Sequence, residues 1–152
     1  YKVIEPIIQL RKPSVRALGK ALELPEEIFN RPPFPGPALA ARVIGETTRE
    51  RIALVRKATA VVEQELAGID AFQYLAILHE DRVTGIRDGA RDYGFQIEVR
   101  CWDSEDAVTG SPTRLPYETL ETLASRTTSE VPGVVSVTYN ISSKPPSTIE
   151  AV

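Results

Sequence analysis

Two segments after residue 40 carry apolar residues at the spacing of one helix face. The segments are TTRERIALVRKATAVVEQEL and LPYETLETLASRT, and the second has a proline near its start, where a helix tolerates one. Their apolar stripes consist of Ile52, Val55, Val62 and Leu66 in the first and of Tyr117, Leu120 and Ala124 in the second. This spacing indicates amphipathic helices. We therefore predict two helices in this part of the chain.

Four other segments have the pattern of β-strands. ARVIG is a short apolar stretch, AFQYLAILH is an apolar run with the length of a buried strand, and YGFQIEVRC and VVSVTYNIS alternate. The apolar faces of the alternating segments consist of Phe95, Ile97, Val99 and Cys101, and of Val135, Val137, Tyr139 and Ile141. The polar faces consist of Gln96, Glu98 and Arg100, and of Ser136, Thr138 and Asn140. We expect half-buried strands, with EDRVTGIRDGARDYG as a solvated connection between two of them.

The order strand, helix, strand, strand, helix, strand defines the expected fold class. It predicts an α+β domain in which a mostly antiparallel sheet carries two helices on one face. The opposite sheet face must be either polar or covered. A homodimer that uses this face or a sheet edge would provide the cover.

The first 40 residues have a different organisation. An extended stretch, YKVIEP, precedes a helical pattern that starts near Pro13, and a shorter helical turn is expected in LPEEIF. The segment RPPFPGPALA follows, and its four prolines remove backbone donors and helical angles. A polyproline ligand is the alternative to a rigid hinge. We place a hinge at residues 31–37, between residues 1–30 and a second domain at residues 38–152.

Composition and charge exclude several classes of function. The formal net charge is −3, and the charges are interspersed without a basic stripe for nucleic acid. No apolar run reaches the roughly 20 residues of a membrane span, and no signal-peptide pattern is present, so we expect a cytoplasmic protein. Cys101 is the only cysteine and His79 the only histidine, so we expect no metal site. We interpret them as a buried thiol and a strand-end residue.

The tail SSKPPSTIEAV combines two prolines with Lys144 and Glu150. The prolines lower the entropy lost on ordering, and a lysine suits a phosphate, so an anion site is one interpretation. A solvated extended tail is the other. The sequence contains none of the glycine-rich phosphate loops G-x-x-x-x-G-K-S, G-x-G-x-x-G or S-G-G-x-D-S. From its residues alone, the chain has no recognisable means of handling ATP.

Three segments match one family in the right order. The chain ends KPPSTIEAV where the family ends K-P-P-x-T-I-E-W-E, and RPPFPGPALAARV matches R-x-P-F-P-G-P-G-L-A-x-R-V. The first segment, VIEPIIQLRKPSVRALGKALELPEEIF, is similar to I-E-P-L-x-x-L-x-K-x-x-V-R-x-L-G-x-x-L-G-L-P. On these motifs, which extend over nearly the whole chain, the sequence resembles the carboxyl-terminal part of GMP synthases. These glutamine-hydrolysing ligases convert XMP to GMP.

The resemblance implies that the chain is part of a longer enzyme. Residues 1–30 would end an ATP-pyrophosphatase domain, and residues 38–152 would form the dimerisation domain, whose partner is a second copy. In the family reaction ATP adenylates the xanthine 2-oxygen, and ammonia from a glutaminase domain or subunit then displaces AMP. ATP and Mg²⁺ belong to the complete enzyme and bind outside this chain. We therefore expect the chain alone to be inactive.

The resemblance also implies an XMP site in the tail. Lys144 would approach the phosphate, and Glu150 would help to hold the nucleotide with Ile149 alongside. Gln73, just before a central strand, would be a further member of the same site. No catalytic, cofactor-binding or metal-binding residue is implied for this chain.

Several positions depart from the family pattern. The arginine and aspartate of N-R-V-V-Y-D are Ser136 and Asn140 here, and the final W-E is Ala151 and Val152. A serine cannot supply the bidentate phosphate contact of an arginine. Two hypotheses follow. The chain is the dimerisation and XMP-binding part of a GMP synthase, or it is a non-catalytic dimerisation module with a decayed or altered nucleotide site.

Overall fold

The structure is a computed structural model that describes residues 2–29 and 37–151. Contacts divide the chain into two compact units, Tyr1–Pro33 and Phe34–Val152. The predicted hinge at residues 31–37 lies outside the described residues except for Pro37. The assignment of residues 1–30 and 38–152 to two domains of an enzyme stays a prediction. In the described part of the chain, no helix is long and apolar enough to cross a membrane.

The first unit contains two helices, α1 (Lys12–Ala21) and α2 (Glu26–Phe29). Both were expected, and a proline stands in the first turn of α1, where its missing N–H costs nothing. The helices meet at Gly19, where an added Cβ would lie 2.5 Å from the Cβ of Phe29. Only glycine permits this approach.

The second unit is an α+β layer, which confirms the predicted fold class. A 3₁₀ turn (Ala38–Arg42) leads into α3 (Arg49–Glu65), β1 (Gln73–Arg87), β2 (Ala90–Asp103), β3 (Ser111–Pro112), α4 (Tyr117–Glu130) and β4 (Val134–Tyr139). β2 pairs antiparallel with β1 and β3, and parallel with β4. The sheet is therefore mostly antiparallel, with the parallel pair joined through α4.

Helices α3 and α4 cover one face of this sheet and enclose the main core. The core contains Val55, Val62 and Leu66 from the helical stripe, Leu78 from β1, Ile97, Val99 and Cys101 from β2, and Leu123 from α4. Most of the predicted apolar faces are therefore confirmed, including the buried thiol. Thr48 is the N-cap of helix α3, and its side-chain oxygen accepts the backbone N–H of Arg51 at 3.2 Å.

Two predicted strand boundaries are wrong. The first two residues of ARVIG, Ala41 and Arg42, end the 3₁₀ turn, and Val43 pairs with the sheet only through an isolated bridge to Leu78. Gly45, two residues after Val43, has φ +88°, which ends an extended run at once. The solvated connection proposed for EDRVTGIRDGARDYG is instead strand on both sides of a two-residue turn. Asp88 and Gly89 have φ of 51° and 78°, as this tight hairpin requires.

Three apolar side chains point differently from the prediction. Tyr117 is the first residue of α4 and is 71% exposed, because the stripe that meets the core begins one turn later. Ile141 lies beyond the end of β4 and is 78% exposed. A register irregularity beside Phe95 places Val134 in the core and turns Val135 toward Gly94 instead.

Truncation of an apolar side chain should have a different effect on stability in each half of β1. Leu78 is fully buried, whereas Ile86 on the same strand is 81% exposed. Leu78→Ala should lower the free energy of unfolding by about 2–5 kcal/mol, because a cavity remains. Ile86→Ala, the matched control, should change it by less than about 0.5 kcal/mol. Denaturant unfolding measures both, and equal losses would show that something covers Ile86.

Candidate functional site

The sheet face opposite the helices is covered in part by the end of the chain. Leu75 and Ile77 on β1 and Trp102 on β2 form a second apolar cluster with Ile149, which is 7% exposed. β1 and β2 contribute to both faces because successive side chains in a strand alternate. The tail after β4 therefore folds back over the sheet, and the interpretation as a solvated tail is wrong for this residue.

Arg100 on β2 holds the backbone of this tail. Its Nη1 atom donates to the carbonyl oxygens of Thr148, Ile149 and Glu150 at 2.8, 3.2 and 3.2 Å. Arg100 is only 8% exposed, so these bonds are shielded from competing water. The polar side of β2, expected to belong to a half-buried strand, is thus buried beneath the tail.

Glu98 lies beside Arg100 and joins three donors. Its Oε1 atom accepts from Nε of Arg100 at 2.5 Å and from Nδ2 of Asn140 at 2.8 Å, and its Oε2 atom lies 2.7 Å from Nε2 of His79. Burial opposes the charged form, but hydrogen bonds from Arg100, Asn140 and His79 outweigh it and hold the pKa of Glu98 below its ordinary value of 4.5. His79, interpreted as a strand-end residue, instead lies in the interior of β1 and belongs to this polar network.

The carboxylate of Glu150 lies where the tail meets the 3₁₀ turn. Its Oε1 atom accepts from Nε2 of Gln73 at 3.1 Å and lies 3.6 Å from Nη2 of Arg42, which is 3% exposed. Its Oε2 atom is buried and has no hydrogen-bond partner among the residues that the structure describes. A buried carboxylate oxygen without a donor is costly, so this position suits a ligand that donates an N–H or O–H group.

Lys144 is held by a different part of the fold, the loop at 104–110. Its backbone pairs with Gly110 through hydrogen bonds of 2.8 and 3.0 Å, and its Nζ atom donates to the carbonyl oxygen of Ala107 at 2.7 Å. Asp106 orders the loop by accepting two backbone N–H groups at 2.8 and 2.9 Å. Lys144 and this loop line a surface depression of about 450 Å³.

The structure unites three of the four residues that the resemblance placed in one site. Gln73 and Glu150 are in direct contact, and Ile149 anchors the tail beneath them. Lys144 lies at a depression whose lining includes none of these three. Whether all four contact one nucleotide stays a prediction.

Sequence reasoning missed two arginines that hold the tail, Arg42 and Arg100. Arg100 left a signal, because Glu98 and Arg100 are two residues apart and therefore share one strand face with opposite charges. Arg42 left none, because its contact with Glu150 depends on the course of the tail.

The fold and this site define a class of protein. It is an α+β domain whose own tail covers part of one sheet face, above a buried ionic network and beside the carboxylate of Glu150. In residues 2–29 and 37–151, no group of three or more His, Cys, Asp or Glu side chains could hold a metal ion.

Comparison with known proteins identifies the family within this class. The family model of the GMP synthase C terminal domain matches residues 60–151, more than half of the chain. The chain therefore belongs to the GMP synthase C-terminal domain family.

Individual relatives match the chain over nearly its full length. It is 49% identical to a glutamine-hydrolysing GMP synthase of Pyrobaculum aerophilum, over 98% of the chain and 30% of that protein. It is 52% identical to one subunit of a glutamine-hydrolysing GMP synthase of Methanocella arvoryzae, over 97% of the chain and 48% of that protein. It is 47% identical to the corresponding subunit in Thermococcus kodakarensis, over 98% of the chain and 49% of that protein. The chain thus spans half or less of these relatives.

The buried carboxylate of Glu98 should make stability depend on acid pH. Because its pKa in the folded state lies below 4.5, its stabilisation is present above that value and is lost as pH falls through the folded-state pKa. Glu98→Gln should remove this loss, and Asn140→Ala, which removes one donor, should reduce it. Thermal unfolding between about pH 6 and about pH 3 measures how steeply the stability of each variant falls with pH. Identical slopes for the wild type and Glu98→Gln would contradict the assigned role of the network.

Proposed function

We propose that this chain is the dimerisation and XMP-binding part of a GMP synthase. The complete protein would convert XMP to GMP with ATP and glutamine-derived ammonia through an adenyl-XMP intermediate, in cytoplasmic guanine nucleotide synthesis. Family membership and the match to relatives over 97–98% of the chain support this proposal. The activity belongs to the complete protein, because the chain spans only 30–48% of those two relatives.

The buried Oε2 atom of Glu150 is the observation that carries the XMP site. Its Oε2 atom lacks a donor in the described part of the chain, while Gln73 orients the other oxygen. XMP offers ring N–H groups and ribose hydroxyls, which are the donors that this atom requires. A base or ribose seated here would remove the cost of the unpaired oxygen and be held in one orientation.

Lys144 is the proposed phosphate ligand. Its ammonium has three donors, and one of them is used by the carbonyl of Ala107. The depression of about 450 Å³ that Lys144 lines is also lined by Asp103 and Asp106, which would repel a phosphate. The adjoining depression of about 600 Å³ is lined by Arg114 and again by Asp103. The two remaining donors of Lys144 would therefore have to hold the phosphate against the repulsion of Asp103, which borders both depressions.

ATP serves this reaction by turning the xanthine 2-oxygen into a leaving group. We place ATP and Mg²⁺ in the part of the protein outside this chain. The residues of the tail site would hold the nucleotide while the tail excludes water, which would otherwise hydrolyse the adenylate.

The proposed partners are a second copy of the domain and a source of ammonia. The relatives include both a glutamine-hydrolysing GMP synthase and proteins named as one subunit of such an enzyme. A glutaminase domain in the same chain, or a separate glutaminase subunit, would supply the ammonia. Homodimerisation through this domain would complete the assembly.

One observation favours the second hypothesis, a non-catalytic module. Ser136 occupies the position of the arginine in the family motif, and its hydroxyl accepts a hydrogen bond from Gln96 at 3.3 Å. An uncharged pair there offers less attraction to a phosphate than a guanidinium does. Such a module would dimerise without binding XMP.

GMP formation by the complete protein tests the proposal. The protein is supplied with ATP, Mg²⁺, XMP and ammonia, which removes the dependence on a glutaminase. Lys144→Ala should raise the KM for XMP by about tenfold or more, because one charged phosphate contact is lost. Lys57→Ala, which removes an exposed lysine of α3, is the matched control and should leave KM unchanged.

The alternative has a different outcome in the same experiments. If the folded wild-type protein forms no GMP and XMP does not raise its melting temperature, the XMP site is absent and the module hypothesis replaces the first. A bound ligand must raise the melting temperature once its concentration exceeds the dissociation constant.

A further inference from the structure

We propose that Arg100 is the positioning residue that sets the tail, and with it the carboxylate of Glu150, in the geometry that receives the nucleotide. The identity of the ligand rests on the proposed function. The contact between Arg100 and the tail stands on the geometry alone. Arg100 itself need not touch the nucleotide, since it acts through the backbone of residues 148–150.

Three backbone acceptors of the tail surround the guanidinium of Arg100. One nitrogen atom, Nη1, donates to three successive carbonyl oxygens. Three successive carbonyls can converge on one atom only if the backbone between them curves around it. The side chain thus selects one conformation of residues 148–150 from the many that a chain end would sample.

Residues of the sheet hold the guanidinium of Arg100 on the side away from the tail carbonyls. Nε of Arg100 donates to Glu98, and Glu98 is held in turn by Asn140 and His79. These three supports lie on β1, on β2 and just after β4, so the sheet itself fixes the direction of Arg100. A side chain oriented by such a shell places its contacts more closely than a free surface arginine does.

The backbone held by Arg100 includes that of Glu150, which carries the carboxylate. The carbonyl of Glu150 is one of the three acceptors, and Thr148 Oγ1 donates to the same oxygen at 2.6 Å. Two donors on the backbone of Glu150, together with Gln73 on its side chain, define where Oε2 points. A displacement of about 1 Å at such a position is enough to weaken a substrate contact greatly.

The chain contains a reporter for the tail. Trp102 is its only tryptophan, is fully buried, and packs in the same cluster as Ile149. If the tail leaves the sheet, Trp102 meets solvent. Acrylamide quenching of its fluorescence in the 152-residue chain therefore measures the position of the tail without any nucleotide.

Arg100→Met tests the proposal with this reporter and with kinetics of the complete protein. We expect increased quenching of Trp102 and a KM for XMP raised by about tenfold or more, with a smaller change in kcat, because saturating XMP restores the closed tail. A merely structural role would lower the amount of active enzyme, and hence the apparent kcat, and would leave KM unchanged.

Arg126→Met is the matched control. Arg126 also makes several ionic hydrogen bonds, but to Glu65 of α3 and Glu130 of α4, on the far side of the sheet. Its loss should leave both the quenching of Trp102 and the KM for XMP unchanged. A change in Arg126→Met equal to that in Arg100→Met would overturn the proposal, because any lost arginine would then have the same effect.

Arg100→Lys covers the case in which Arg100→Met does not fold. Lysine keeps a positive charge beside Glu98, but its single nitrogen cannot serve both Glu98 and three carbonyls in the same geometry. We expect a folded protein with increased quenching and a raised KM. Wild-type quenching and KM in the folded arginine variants would overturn the proposal. If the wild type neither forms GMP nor binds XMP, the proposed function fails, and the quenching experiment alone decides whether Arg100 sets the tail.

Discussion

The arrangement of the second sheet face depends on one buried cation. Removing the guanidinium of Arg100 from water costs several kcal/mol unless a carboxylate and further acceptors replace the lost hydration. Glu98 supplies the carboxylate, and the carbonyls of residues 148–150 supply the acceptors. If the tail were absent, the cation would face a solvent-exposed gap beside Leu75 and Ile77. Tail docking and burial of the polar strand face are therefore one event, in which each makes the other favourable.

The same constraint explains how a chain end can be ordered. A terminal segment loses conformational entropy when it docks, at about 1–2 kcal/mol for each residue's backbone. Here the cost is offset at two anchors, the paired backbone of Lys144 with Gly110 and the contacts of Ile149 and Arg100. The segment between the anchors, residues 145–148, is so short that fixing its two ends also orders its backbone. A ligand that engages Lys144 and Glu150 would add to both anchors at once, and it would thereby stabilise the closed tail.

Sequence patterns predicted those helices and strands that bury one apolar face against the core. The stripe with Val55 and Val62 and the alternation of β2 each bury one face, so their period shows in the sequence. The outer part of the β1–β2 hairpin was missed because it is polar and exposed and pairs through its backbone, which leaves no apolar signal. The burial of Glu98 and Arg100 was unpredictable for another reason. It depends on a tail that follows β2 by about fifty residues, and no local pattern shows that this tail folds back over the strand.

The two departures from the family motif have different physical meanings. Asn140 replaces an aspartate, and its Nδ2 atom donates to Glu98 at 2.8 Å. A carboxylate at that distance would repel Glu98, and one of the two groups would have to take up a proton. The amide avoids this conflict, so Glu98 stays charged and continues to orient Arg100. The substitution at Asn140 thus belongs to the network that fixes the tail, and it is the opposite of what decay of the site would produce. Ser136, which replaces an arginine by a neutral hydroxyl, still favours an altered ligand. The ionic network is thus complete with Asn140 in place, and it holds the tail on the sheet in both hypotheses.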